Sequence, residues 1–294
     1  MSKIRRFLKN NPKIIKRALC VSLTLFVVFA IATIWGNITL SVEKFNIETE
    51  KLDNKNGYKI AHISDYHNTH NKFLNDAVLS SLKEEKPDII VLTGDLVDCR
   101  KTDIEKGIDF ASVIVEIAPV YYVTGNHECN ISIDSQSVFD NMIEDLKELG
   151  VEVLRGEGTS ITLPNDEKIN IFGIDDPYFH CGSASEIKYA TDSLCSFLDI
   201  NKNEYNILLA HHPEQIEIYS QYGFDLVYSG HAHGGQGRLF GLGLIAPDQG
   251  FFPKYTSGLY EENGTKLIVS RGIGNSIAPI RIFDRPHLIY TIIE

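Results

Sequence analysis

Acid is missing from the start of this chain. No Asp or Glu precedes Glu43, and no charge of either sign falls between positions 18 and 42. Residues 1–17 nevertheless hold seven basic side chains: Lys3, Arg5, Arg6, Lys9, Lys13, Lys16 and Arg17. The whole chain carries −11, so setting those seven positive charges aside leaves −18 on the remainder. An acidic body of that kind excludes general binding to duplex nucleic acid, which needs basic surface to displace counterions. Cysteine is sparse and odd in number at five, with no C-x-x-C pair, so neither a zinc knuckle nor a disulfide framework is implied, and free thiols are expected. No H-E-x-x-H occurs, which removes the helix-borne zinc protease pattern. Internal repeats and low-complexity tracts are absent as well.

What stands in the uncharged window is apolar. Eighteen helical residues, 18–35, span about 27 Å, close to a bilayer core of about 30 Å. Trp35 suits the far interface, and the basic flank suits the cytoplasmic side. The expected organisation is a basic cytoplasmic tail at 1–17, a transmembrane anchor at 18–40 and one extracytoplasmic domain at 41–294. A cleaved signal peptide is the alternative, with Ala30-Ile31-Ala32 as a weak cleavage site. Arg5-Arg6-Phe7-Leu8-Lys9 resembles a twin-arginine signal but lacks the residue usually found between Arg-Arg and Phe.

Within 41–294, short apolar runs rich in Val, Ile, Leu and Tyr read as buried strands: 58–64, 89–93, 120–124, 206–210 and 226–229. Helical periodicity lies between the early ones, at 73–85, 104–117 and 138–149, with a weaker candidate at 184–198. Three strand-helix-strand units in succession predict parallel crossovers. Shorter strands are expected at 43–48, 151–154, 160–163, 168–174, 266–270 and 287–293. Two sheets packed face to face with helices outside would accommodate them.

Polar residues stand at the carboxyl ends of those strands. They are Asp65 and His67 in D-x-H, Asp95 and Asp98 in GDLVD, Asn126 and His127 in GNHE, His211 in LLAHHP, and His231 and His233 in GHAHGG. Ligands bind outside the carboxyl ends of strands in open α/β sheets, so these groups are expected to converge. Carboxylate, imidazole and amide oxygen suit two divalent cations, with Mn, Fe and Zn all compatible. Asp65 and His67, two apart on extended backbone, would serve one ion. Asp95 would bridge, Asn126 and His211 would complete the second, and His231 and His233 would go one to each. A pair of cations about 3.5–4 Å apart clamps an in-line displacement at phosphorus and deprotonates a bridging water that attacks. His127 is then the candidate proton donor to the leaving oxygen, with Asp98 as the carboxylate orienting it.

These motifs, in this order over residues 58–235, resemble the calcineurin-like metallophosphoesterase superfamily. GLIAPDQGFFPKYTSGLY at 243–260 and VSRGIGNS at 269–276 resemble its bacterial membrane-associated branch. The resemblance implies a four-layer α/β/β/α sandwich and the same residue-by-residue ligand set. Tyr66 departs from the Leu of many members and is expected to point away from the metals.

The remaining polar residues have plainer readings. His62 is expected to be packed or hydrogen-bonded, His212 to be structural or to lie at the substrate rim, and His70 and His287 to lie at the surface. Asp175 and Asp176 follow a strand in an expected rim loop, with a plain loop role and a substrate contact both open. Arg271 is the candidate substrate-binding residue, with a salt-bridged structural role for it and Arg281 as the alternative. Phe251, Phe252 and Tyr255 with Lys254 form an aromatic patch, either core or a resting place for an acyl chain or sugar. The function expected is hydrolysis of a phosphoester or pyrophosphate bond in a phosphorylated small molecule or a lipid-linked substrate at the membrane. The competing class is a non-catalytic metal-bound membrane module that binds a lipid or protein partner.

Overall fold

The computed structural model describes residues 12–53, 57–275 and 280–294. The basic residues Lys3, Arg5, Arg6 and Lys9, and Ser276 of the late motif, lie outside them. The uncharged window forms helix α1, Pro12–Ile38, which starts six residues earlier than the apolar run because Pro12 sits at its first position. It is long and apolar enough to cross a membrane, and Gly36 is its only buried residue. Strand β1, Ser41–Ile47, follows directly on a two-residue break at Thr39 and Leu40.

Twelve strands among the described residues build two six-stranded sheets. In the first, β2 (Tyr58–Ile63), β3 (Ile89–Thr93), β4 (Val120–Val123) and β5 (Glu152–Val153) run parallel. The crossovers between them carry α2 (Lys72–Glu85), α3 (Ile104–Ile114), and the pair α4 (Asn126–Asp134) and α5 (Gln136–Glu148). In the second, β7 (Lys168–Gly173), β8 (Tyr205–Leu209) and β9 (Leu226–Ser229) run parallel, edged by β6 (Glu157–Thr162). Helices α6 (Ile187–Ser196) and α7 (Ile216–Tyr219) precede β8 and β9. Two small hairpins follow, β10 (Arg238–Leu239) with β11 (Leu242–Gly243), and β12 (Ile245–Ala246) with β13 (Gly250–Phe251). Then β14 (Gly258–Glu262) and β15 (Thr265–Val269) close the second sheet, and β16 (His287–Ile293) returns to the first.

Alternating side chains put three apolar layers between these elements. Ile60, Val91 and Ile289 of one sheet meet Ile171, Ile207 and Tyr228 of the other. Val78, Phe110 and Phe139 cover the outer face of the first sheet, and Ile216 and Tyr219 cover that of the second. The stack is the four-layer α/β/β/α arrangement the sequence led us to expect.

One detail of topology positions the site. β16 is antiparallel to β2, and β1 is parallel to β16, so β1 runs opposite to β2. The start of β1, next to the end of α1, therefore lies at the edge where β2 ends.

His287, expected at the surface, is instead buried in β16, with Nε2 2.9 Å from a Glu43 carboxylate oxygen. A single His flanked by Pro and Leu offered no sequence sign of that. His70 is exposed as expected, and His62 is buried with Nε2 2.8 Å from Thr93 Oγ1. The five cysteines are free. Phe251 and Phe252 are exposed while Tyr255 is buried, so the aromatic patch divides between surface and core.

Candidate metal centre

The loops after β2, β3 and β4 in one sheet, and after β8 and β9 in the other, meet at one edge of the sandwich. Their backbone is not extended there. Asp65, His67, Asp95, His231 and His233 have φ of 49°, 46°, 52°, 63° and 44°. The expectation that Asp65 and His67 stand two apart on extended backbone is therefore corrected, and His231 and His233 are coiled in the same way. Each loop coils sharply in the left-handed region, which costs a non-glycine residue energy and is characteristic of functional sites. Glycine permits the close approach: a Cβ on Gly94, itself at φ 85°, would sit 2.5 Å from His211 Nδ1 and 2.8 Å from Gly125 Cα. Tyr66 turns the other way and stacks on Phe110, ring centroids 4.1 Å apart.

The coiling gathers donors. Nε2 of His67 and Nε2 of His233 face each other at 3.2 Å. Asp65 Oδ1 lies 3.3 Å from His233 Nε2. Asp95 Oδ2 is ringed by Nε2 of His211 at 3.3 Å, of His67 at 3.5 Å and of His127 at 3.9 Å. One ligand atom from each of Asp65, His67, Asp95 and His233 falls within 4.8 Å of the others. Beside this group, His231 Nδ1 is 3.0 Å from Asn126 Oδ1, and the His211 and His231 rings are 4.9 Å apart.

All of this but the half-buried Asn126 is buried, and two buried carboxylates need a positive partner. Burial pushes His67 down to about 3, and His233 well below the usual histidine range, so both imidazoles are neutral, the form that binds metal. His211 goes the other way. Burial alone would lower it, but the charges of Asp95 and Asp65 lift it to about 10. Its Nδ1 is 2.7 Å from the Thr93 carbonyl, and its buried Nε2 has no hydrogen-bond partner. With Nδ1–H donating to that carbonyl, the Nε2 lone pair faces the site, and the pocket demands a cation there. Two carboxylates, four imidazoles and an amide oxygen, gathered at one edge and facing one another, fit a pair of divalent cations.

The structure brings His127 to this cluster but supports it differently from expectation. Its backbone N–H donates to Asp95 Oδ1 at 2.9 Å, and its Nδ1 accepts the Cys99 N–H at 3.0 Å. That bond leaves the ring proton of neutral His127 on Nε2, the atom facing the cluster. Asp98 Oδ1 is 3.4 Å from Nδ1, while its carboxylate accepts from Arg100 Nη2 at 2.9 Å and Arg100 N–H at 2.8 Å. A backbone amide, not Asp98, sets the tautomer.

Arg271 does not open onto this centre. Its guanidinium donates to Ser257 Oγ at 2.9 Å and the Arg285 carbonyl at 3.2 Å, with Asp284 3.4 Å away. Arg281 is likewise spent on the Arg271 carbonyl and Asn275 Oδ1. The salt-bridged alternative describes both, and they brace the 271–274 turn whose Gly274 N–H donates to the Asp65 carbonyl at 2.7 Å.

A family profile for the calcineurin-like phosphoesterases matches residues 58–235. The chain belongs to this family. An uncharacterised metallophosphoesterase of Aquifex aeolicus is 32% identical over 267 residues, 87% of this chain and 92% of the relative. An uncharacterised metallophosphoesterase of Campylobacter jejuni is 30% identical, covering 92% of this chain and 68% of its own. The phosphodiesterase YaeI of Escherichia coli is 28% identical over 80% of this chain and 82% of its own. This chain is accordingly a metallophosphoesterase, of a family that uses two divalent metals.

Two residues of this metallophosphoesterase, Glu128 and Asp248, escaped the sequence reading, and the His212 read as structural or substrate-rim finds structural partners. Glu128, the last letter of GNHE, accepts N–H groups of Gly125 at 2.7 Å, Asp95 at 2.9 Å and Val97 at 3.1 Å, locking the turn of Asp95 to that of Asn126. His212 is held between Asp176 at 2.9 Å and Glu214 at 2.8 Å. Asp248, in the β12–β13 turn, lies 2.8 Å from His231 Nε2 and accepts the Tyr178 hydroxyl at 2.9 Å. Only the GNHE motif carried a hint. With Asp248 holding the Nε2 proton, His231 presents the Nδ1 lone pair toward Asn126. Replacing a partner of that kind costs about 10–100-fold in metal affinity. Asp248→Ala is therefore expected to weaken one cation by about that factor and spare the other, read as a split Mn²⁺ titration. Unchanged affinity at both positions would show that Asp248 does not orient His231.

A groove of about 630 Å³ opens beside the centre. It runs from His67 and Asp98, past Arg100 and Lys101, to Asn37 at the end of α1.

Proposed function

We propose that Asp65, His67, Asp95 and His233 hold one divalent cation, and that Asp95, Asn126, His211 and His231 hold the second. Mn, Fe or Zn suits this donor set. The cations, when bound, polarise the phosphoryl oxygens and supply the nucleophile at neutral pH. The chain's own residues do the rest. Asp95 holds the two halves together, Glu128 and Asp248 fix the ligand loops, and His127 presents its Nε2 proton to the departing ester oxygen. Asp98 and Arg100 border the groove that receives the rest of the substrate.

The substrate is a phosphoester or pyrophosphate presented at a membrane surface, its headgroup lying in the groove. The observation that carries this is the path of that groove from His67 to Asn37, where the helix fit to cross a membrane ends. Lys13, Lys16 and Arg17 at the other end of α1 favour the cytoplasm, which leaves the phosphoesterase domain outside it.

The full chain in detergent micelles, supplied with Mn²⁺, is expected to hydrolyse bis(p-nitrophenyl) phosphate. A chelator should stop turnover, and returning the metal should restore it. Absence of hydrolysis with each of Mn, Fe, Zn, Co and Mg would sink the catalytic reading. A second screen, over lipid-borne phosphomonoesters, phosphodiesters and pyrophosphates, identifies the bond cleaved.

A further inference from the structure

Among the described residues, the most exposed large apolar side chain is Phe240, at 94%. It tips the β10–β11 hairpin, and the neighbouring β12–β13 hairpin exposes Phe251 at 79% and Phe252 at 75%. A third loop, described from residue 280 onward, exposes Ile280 and Phe283. Phe240, Phe252 and Phe283 have φ of 52°, 53° and 53°. Turns of that shape take Gly or Asn at little cost, whereas a bulky aromatic is strained there. Three strained phenylalanines that contribute little to any core have no folding rationale.

These loops form one unit joined to α1. Arg238 N–H donates to the Ile282 carbonyl at 2.9 Å, tying the β10–β11 hairpin to the third loop, and Phe252 N–H donates at 2.9 Å to the carbonyl of Leu244, the residue linking the two hairpins. That loop is bonded to the helix. Asn37 Nδ2 donates to the Arg281 carbonyl at 2.8 Å, and Arg281 N–H donates to Asn37 Oδ1 at 2.9 Å. The Arg285 guanidinium lies over the Trp35 ring at 4.5 Å, and Phe283 meets Phe29 edge-on at 6.4 Å.

Those contacts set a depth. Tryptophan marks a membrane interface, and Phe29 lies six residues before Trp35, about 9 Å deeper along a helix. A side chain touching Phe29 is at the level where interfacial elements bury their apolar faces, about 5–10 Å into the headgroup and acyl boundary.

We propose that the β10–β11 and β12–β13 hairpins and the loop at 280–283 form a second membrane contact, inserting Phe240, Phe251, Phe252 and Phe283 into the outer part of a lipid bilayer. This rests on α1 crossing that bilayer. The domain is then held at two places and cannot pivot about the Thr39–Leu40 connection. The metal-bearing edge faces the lipid, because β1 starts at that edge and the Asp248 turn that bonds His231 belongs to an inserted hairpin. The surface selects a bilayer over a second protein because its 280–283 loop packs on the exposed apolar side of α1, Phe283 against Phe29.

Trp35 is the single tryptophan, which makes a direct test available. The full chain carrying Trp35→Phe with Phe240→Trp, or with Phe251→Trp, is reconstituted in phosphatidylcholine vesicles with brominated acyl chains. A third protein carries Asn203→Trp, in the exposed turn before β8 at the opposite edge of the sheets. Bromine is expected to quench Phe240→Trp and Phe251→Trp several-fold more than Asn203→Trp. Equal, weak quenching at all three, as when a second copy or a partner protein covers the face instead, would overturn the proposal. The readout needs no turnover, so it stands or falls separately from the phosphoesterase reading. A second arm links the two. Phe240→Ser/Phe251→Ser/Phe252→Ser should keep bis(p-nitrophenyl) phosphate turnover while losing about tenfold on vesicle-borne ester. Equal losses on both substrates would contradict a membrane role for these side chains.

Discussion

Asp95→Ala is expected to empty the centre and abolish hydrolysis. Asp95 Oδ2 is the atom on which three imidazole Nε2 atoms converge, at 3.3, 3.5 and 3.9 Å. Its other oxygen takes the His127 N–H, so the same carboxylate also seats the candidate proton donor. Removing it strips each proposed cation of a ligand and leaves a cluster of imidazoles with little charge to balance a metal. A loss of several kcal/mol of transition-state stabilisation corresponds to about 10³-fold or more in rate. Bound metal, measured by mass spectrometry on the full chain, should fall from two equivalents to well under one. Retention of both cations with normal turnover would mean Asp95 is not shared.

His127→Ala separates chemistry from binding. Its ring sits edge-on to His67, centroids 4.5 Å apart, but it belongs to neither proposed coordination set. The variant should keep both cations and bind substrate with little change in KM. Its kcat should fall by about 10²–10⁴-fold, the range for loss of a positioned proton donor. The deficit should shrink for esters whose leaving group needs no proton, such as p-nitrophenolate. Asp98→Asn should cost much less, because the Cys99 N–H fixes the ring without it. A loss equal for good and poor leaving groups, or loss of metal, would assign His127 a different part.

The strands and the polar residues ending them were legible because burial on both faces writes continuous apolar runs, and a metal pocket punctuates each run with Asp, Asn or His. Ile89–Thr93 and Leu226–Ser229 start and stop where the residues predict. What escaped was set by distant parts of the chain. The left-handed φ at Asp65 and Asp95 arises from two loops packing against each other, a contact that no local pattern records. Helix α4 was missed because its start, Asn126, reads as the end of a strand, and its cap is the Glu128 side chain bonded back to Gly125 N–H. His287 looked superficial because its partner, Glu43, lies at the other end of the sequence. The hairpins between β9 and β14 have two-residue strands too short for any periodicity to register.

The central claim is that two cations share one carboxylate between the loops of two sheets. Anomalous diffraction from crystals of the Mn²⁺-loaded full chain tests it directly. The account predicts two peaks about 3.5–4 Å apart, one against His67 and His233 and the other against Asn126 and His231, with Asp95 between them. A single peak, or two peaks without Asp95 in common, would contradict it.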